Sequence, residues 1–240
     1  MIALVEFLDL HVVPRVDDES SWKLTAEMVA LSGFSLIGLT VPTGLLSSRL
    51  DALRNCFQDS GIEVFVRVDL ACSKRDDLLK LLRRFRSTFD IIGVRCTNHN
   101  SALVAARDRR VDLIFFDSAA RHIWFDDSIA NVSNAKLELN LSALCEAPNH
   151  LILSRFMKDV TVARRHKVEV VLSSGATSPL LLRTPNQMVA IAEILGLNKQ
   201  DAIDGLSAIP SSILTSNVER RSKNYVEEGV RITAGADQEA

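Results

Sequence analysis

Residues 168–197 read VEVVLSSGATSPLLLRTPNQMVAIAEILGL, and the order of elements in this stretch decides the fold. Val168–Leu172 is a short, largely apolar run rich in β-branched residues, the pattern of a buried strand. Ser173-Ser174-Gly175 interrupts it as a loop, and a helix with clear punctuation follows. Thr184 and Gln187 are spaced as a capping box, and Pro185 takes the first helical position, where a missing N–H costs nothing. Met188, Ile191, Ala192 and Leu195 share one apolar face, and Gly196 can take the left-handed conformation that ends a helix. The polar loop between strand and helix carries one cation, Arg183. In an α/β barrel such a loop opens at the functional rim.

The same unit recurs toward the N-terminus. Strands are expected at Ala3–Val12, Phe34–Val41, Ile62–Leu70, Asp90–Cys96, Val111–Phe116 and Lys136–Leu141. Helical patterns follow near 20–31 (capped by Ser20 or Ser21, stopped by Gly33), 46–58, 76–87, 100–108, 127–132 and within 150–166. Seven βα units in succession predict a parallel sheet with helical crossovers, and no Gly-rich nucleotide fingerprint follows the first strand. The expected fold class is α/β, a TIM-like (β/α) barrel. No eighth strand is evident; 198–215 reads as helix divided by Pro210, which predicts a barrel that is irregular or open on that side. Residues 1–216 are expected to form the barrel domain, and 217–240, with the run Glu219-Arg220-Arg221-Ser222-Lys223, a charged C-terminal extension with a mobile tail.

Composition narrows the function. At 240 residues and 47% hydrophobic, the chain can bury a sizeable core. No apolar run approaches the roughly 20 residues of a membrane helix, and the N-terminus does not resemble a signal peptide, so a cytoplasmic protein without a membrane partner is expected. Cys56, Cys72, Cys96 and Cys145 are widely spread, never C-x-x-C, and read as buried free thiols. Lys+Arg 28 against Asp+Glu 30 leaves a net charge of −2, whereas autonomous RNA-binding domains are usually basic. Any RNA contact must use a local patch or a partner.

Three constellations could carry chemistry. Asp9-Leu10-His11 ends the first strand, where barrel enzymes place catalytic groups. This segment resembles polymerase-and-histidinol-phosphatase (PHP) type metal phosphoesterases, whose motif continues to a second histidine two residues on. Here that position is Val13, and His99, His122, His150 and His166 show no metal-ligand spacing. Asp9 and His11 therefore read as a relic metal-type motif joined by a structural hydrogen bond, with no metal held. A PHP-like metal-dependent phosphoesterase is the alternative. The second constellation is a polar ring at the strand ends, His11, Asp69, Arg95, Asp117, Asn140, Ser173 and Ser174, which could bind a small polar ligand. The third is three basic clusters, at 74–86, 107–110 and 155–167, any of which is read as a solvated helix face or a phosphate-facing side. Aromatics are only 5% of residues, so such contacts would follow RNA backbone shape rather than bases.

Several segments, in order, resemble the TIM-barrel, PHP-like protein component of archaeal and eukaryotic ribonuclease P, called component 3 in archaea. They are Asp9–Val12 (DLHV), Gly93–Arg95, Val111–Ile114 with the following FDS loop, Leu137–Asn140, SSGA at 173–176, LRTP at 182–185, Ala208–Leu214 and Asn217. The resemblance implies a subunit of the ribonucleoprotein that removes the 5′ leader of precursor tRNA, with no catalytic residue on this chain. It implies that the RNA and its Mg2+ do the chemistry. It also implies as partners the ribonuclease P RNA, a small ferredoxin-like ribonuclease P protein, other ribonuclease P proteins and, indirectly, precursor tRNA. Arg95, Arg110, Arg121, His122, Lys158 and Arg183 are the expected RNA contacts.

Overall fold

Strand residues of two kinds, inward and outward, build this protein in concentric layers. The computed structural model describes residues 6–117, 122–146, 150–222, 225–227 and 230–231. Seven strands run in sequence order around one parallel sheet: β1 (Leu8–Val12), β2 (Leu36–Thr40), β3 (Glu63–Leu70), β4 (Ile91–Cys96), β5 (Leu113–Phe116), β6 (Lys136–Asn140) and β7 (Val170–Ser173). The crossovers are α1 (Glu19–Ser32), α2 (Ser47–Gln58), α3 (Arg75–Phe85), α4 (His99–Arg107), the short α5 (Asp127–Ala130) and, between β6 and β7, α6 (Ser142–Glu146) with α7 (His150–His166). After β7 come a 3-10 turn (Pro179–Leu181), α8 (Pro185–Ile194), α9 (Lys199–Asp204) and α10 (Ala208–Arg220). A small antiparallel pair, β8 (Tyr225–Glu227) and β9 (Val230–Arg231), follows. This is the expected TIM-like barrel.

Among the described residues no eighth strand joins the barrel, and a substitute takes its place. The Leu172 N–H donates to the Gly205 carbonyl at 3.0 Å and the Leu8 N–H to the Leu206 carbonyl at 2.7 Å, so two residues between α9 and α10 bridge β7 to β1. Higher up, the Val13 N–H donates to the Ala176 carbonyl at 2.8 Å. The helical region is broken at 205–207 rather than at Pro210, which sits in the first turn of α10, where its missing N–H is tolerated. α10 passes through residue 216, and Asn217 is buried with its amide donating to the Asp90 carbonyl at 3.0 Å. Ile213 and Leu214 of α10 pack with Leu8, Leu10, Leu36, Ile91, Leu113 and Val171, closing the lower end of the barrel.

Other departures from the sequence reading are local. Asp18, not Ser20 or Ser21, caps α1: its carboxylate accepts from the Ser21 N–H at 3.3 Å. β7 starts at Val170 rather than Val168, because the Val168 N–H bonds back to the Ala163 carbonyl and finishes α7 with Lys167 at φ 56°. β1 begins at Leu8; the expected portion at Ala3–Val5 lies outside the described residues. All four cysteines are free, but only Cys96 is buried; Cys56, Cys72 and Cys145 are half-exposed. Thr184 caps α8 with Gln187 returning the bond, and Gly196 adopts φ 105°, as the sequence predicts.

A β-carbon on Gly205 would lie 2.7 Å from the Val170 carbonyl oxygen. Gly205→Ala should therefore strain the closure and cost about 1–3 kcal/mol in urea denaturation. An unchanged midpoint would show that the bridge is dispensable.

Candidate functional site

Period-2 alternation stacks the inward residues in three levels. Ile91, Gly93 and Arg95 climb β4; Leu113 and Phe115 climb β5 toward Asp117; Phe65, Arg67 and Asp69 climb β3. The lowest level is apolar. The middle level holds Arg67, the largest fully buried side chain in the described protein. The upper level lines the mouth.

Arg67 makes four hydrogen bonds. Its Nη1 and Nη2 donate to the Glu138 carboxylate at 2.7 and 2.6 Å, Nε donates to Asp69 Oδ1 at 2.7 Å, and Nη1 also reaches the Leu10 carbonyl at 2.9 Å. Ser173 Oγ donates to Glu138 Oε1 at 2.6 Å. His11 closes the network, with Nδ1 3.0 Å from Glu138 Oε1 and Nε2 3.0 Å from Asp69 Oδ2. Two strand glycines make room. A β-carbon at Gly93 would meet Asp69 Oδ1 at 2.4 Å and Arg67 Nη2 at 2.7 Å, and one at Gly38 would meet the Leu10 carbonyl oxygen at 2.3 Å. β1 also bulges, using three steps from Asp9 to Val12 where β2 uses two, so that Leu10 joins the apolar floor while His11 faces the network.

The charges follow from this geometry. Burial and the Arg67 charge push the His11 imidazole down, but the Asp69 and Glu138 carboxylates outweigh them and raise its pKa to about 9. Burial pushes Glu138 up, yet Arg67 and then His11 hold it at about 2; the same opposition keeps Asp69 below its usual range. Two cations and two anions thus neutralise one another. Burial raises the Asp9 carboxyl against hydrogen bonds from Ser174 and His11. Asp9 Oδ1 accepts from the backbone N–H groups of His11 and Ser174, both at 3.1 Å. Its Oδ2 finds no partner, the Ser174 hydroxyl being turned to the His11 carbonyl.

This arrangement does not fit the metal of a PHP-like phosphoesterase. The Glu138 and Asp69 carboxylates are paired with Arg67, a fixed cation at the centre of the group, both His11 nitrogens are engaged by those carboxylates, and among the described residues no cluster of three or more His, Cys, Asp or Glu could hold an ion. Asp9 and His11 are linked through the His11 backbone N–H, while the imidazole engages Glu138 and Asp69.

Of the polar ring read from the sequence, His11, Asp69, Arg95, Asp117 and Asn140 line one mouth cavity, whereas Ser173 and Ser174 are turned into the barrel. The expected RNA contacts are not gathered in one place. Arg95 is exposed at the mouth, and His122 is exposed with Nε2 3.4 Å from the Thr97 carbonyl. Lys158 is exposed on α7. Arg110 lies at the opposite end, before β5, and is held by Asp108 through bonds of 2.9 and 2.6 Å. Arg183 donates to the Leu180 and Leu182 carbonyls at 2.8 and 2.7 Å. Arg121 lies outside the described residues. At the lower end, exposed Arg83 and Arg84 close α3, and exposed Arg107 and Arg109 follow α4, near the end of α10, where Arg220 reaches the Arg109 carbonyl at 3.4 Å. Sequence reading missed Arg67 and Glu138. The available signal was a charge at an inward position of an apolar strand, VFVRVDL and KLELN, with mid-strand glycines in neighbouring strands.

Removing one partner of this buried pair leaves an uncompensated charge. Arg67→Met should cost about 3–5 kcal/mol, and Arg67→Met combined with Glu138→Leu should recover part of it; an additive double-mutant cycle in denaturation would show that the two do not interact. His11 is raised above its unfolded value of 6.5, so its contribution is complete below that pH and disappears as pH rises through about 9. Stability should therefore fall by on the order of 3 kcal/mol across that interval, and His11→Asn should flatten the profile.

The family profile described as RNase P subunit p30 matches residues 6–222. Ribonuclease P protein component 3 of Methanosarcina barkeri is 26% identical over 95% of both chains. Its counterpart in Methanothermobacter thermautotrophicus is 27% identical over 95% of this chain and 96% of its own. A chain in the cryo-EM structure of archaeal ribonuclease P with mature tRNA superposes with a TM-score of 0.80 at 16% identity, covering 96% of this chain and all of that one, and so shares the fold.

Proposed function

The chain belongs to the RNase P subunit p30 family, and on that premise we infer that it serves as a protein subunit of ribonuclease P, the ribonucleoprotein that removes the 5′ leader of precursor tRNA. Its part is to support a catalytic RNA, whose Mg2+ carries the chemistry. The observation that favours this role over catalysis by the chain itself is the Arg67-centred network. The groups at the usual catalytic position of a barrel, His11, Arg67, Asp69 and Glu138, are charge-balanced and mutually hydrogen-bonded, so none of these four is left as an activated nucleophile or general base.

The near-neutral charge suits shared RNA binding with a small ferredoxin-like partner and other ribonuclease P proteins. RNA phosphates would meet cations whose heads are exposed: His122 and Lys158 from the sequence set, and Arg83, Arg107 and Arg109 at the lower end. Arg95 stands apart because it lines the cavity. Arg110 and Arg183 reach RNA only after leaving their present partners.

Reconstituted cleavage of precursor tRNA tests the reading. Omitting the chain should slow cleavage by roughly tenfold or more at limiting Mg2+. Asp9→Asn, which keeps the shape of a carboxyl whose pKa burial raises, should leave activity within about twofold. Equal activity with and without the chain would sink the subunit role; loss of activity in well-folded Asp9→Asn would favour catalysis by the barrel. Alanine at Lys158 or Arg109 should lower the slope of log affinity against log salt by about 0.7–0.9 for each phosphate that the side chain neutralises.

A further inference from the structure

The barrel mouth opens into a cavity of about 550 Å3, within the range of small-ligand sites. Its lining includes the apolar residues Val41, Pro42 and Phe115. Interleaved with them are donors from three alternate strands: Thr40 at the end of β2, Arg95 on β4 and Asn140 at the end of β6.

Thr40 is only 8% exposed, yet its hydroxyl makes no hydrogen bond within the fold. A buried hydroxyl without a partner is destabilising and marks a place that something else completes. Arg95 is exposed and has no carboxylate within ion-pair reach among the described residues. The Asn140 amide oxygen accepts from Ser142 Oγ at 2.8 Å, which leaves its NH2 edge for a ligand.

The acids nearby do not reverse this character. Both oxygens of Asp69 are engaged, by Arg67 and by His11, and Asp117 is opposed by the charge of Arg155. A guanidinium fork flanked by two neutral donors on separate strands matches a group with three outward oxygens better than a planar carboxylate.

We propose that the mouth cavity binds a phosphate monoester on a molecule of mononucleotide size, with Arg95 pairing to the phosphate, Thr40 and Asn140 donating to its oxygens, and the apolar lining residues contacting the organic part. The site stands on the cavity alone and does not depend on the ribonuclease P reading. A free nucleotide and the terminal phosphate of an RNA chain offer the same group.

Calorimetric titration of the full chain, with no other ribonuclease P component, tests it. AMP should bind, inorganic phosphate should compete, and adenosine should not bind. Arg95→Ala should weaken AMP binding by roughly tenfold or more. Thr40→Val should also weaken it while leaving the melting temperature of the ligand-free chain equal or higher, because an orphan hydroxyl has been removed. If AMP is silent but a short 5′-phosphorylated RNA binds, and ceases to bind on Arg95→Ala and on removal of its phosphate, the site holds and its phosphate comes from RNA. Silence of both probes, wild-type binding by both variants, or a lower melting temperature for ligand-free Thr40→Val overturns the proposal.

Discussion

The buried guanidinium of Arg67 is the constraint around which the barrel interior is arranged. Such a charge survives desolvation only when its donors are matched, and Glu138, Asp69 and the Leu10 carbonyl together accept four hydrogen bonds from it. Satisfying it dictates the neighbours. Glu138 must face inward, Ser173 and His11 take up the remaining carboxylate lone pairs, and Gly38 and Gly93 must lack side chains. The bulge in β1 belongs to the same set, because it turns His11 toward the acids without removing Leu10 from the floor.

Below this polar level the barrel is an ordinary apolar core, and its closure depends on backbone rather than side chains. Gly205 and Leu206 supply two carbonyls where an eighth strand would supply a ladder. α10 then covers the lower end with Ile213 and Leu214, so the C-terminal helices replace a missing βα unit in both hydrogen bonding and burial.

Balance of charge connects this interior to function. The mutual neutralisation of Arg67, His11, Asp69 and Glu138 gives a charge-balanced centre, and exposed cations are displayed outside it, at the mouth, on α7 and at the lower end. Membership of the RNase P subunit p30 family places those cations in a ribonucleoprotein, where phosphate contacts can be distributed over several proteins.

Local chemistry made much of this legible in the sequence. The seven strands, the capping box at Thr184, the stop at Gly196 and the lack of an eighth strand all follow from periodicity and from residues that act on their own backbone. The family resemblance rested on short segments in order, and the metal motif was visibly incomplete at Val13. What depended on distant partners was not legible. Arg67 and Glu138 are 71 residues apart, and a charge inside an apolar strand has no meaning until the opposite wall of the barrel is known. The separation of Arg95 from Arg110, the committed state of Arg183 and the closure at Gly205 were likewise decided by tertiary structure. The physical reason is common to all of them: strand and helix signals are carried by neighbours in the chain, whereas pairing, burial and the direction of a charge are set by what folding brings from elsewhere.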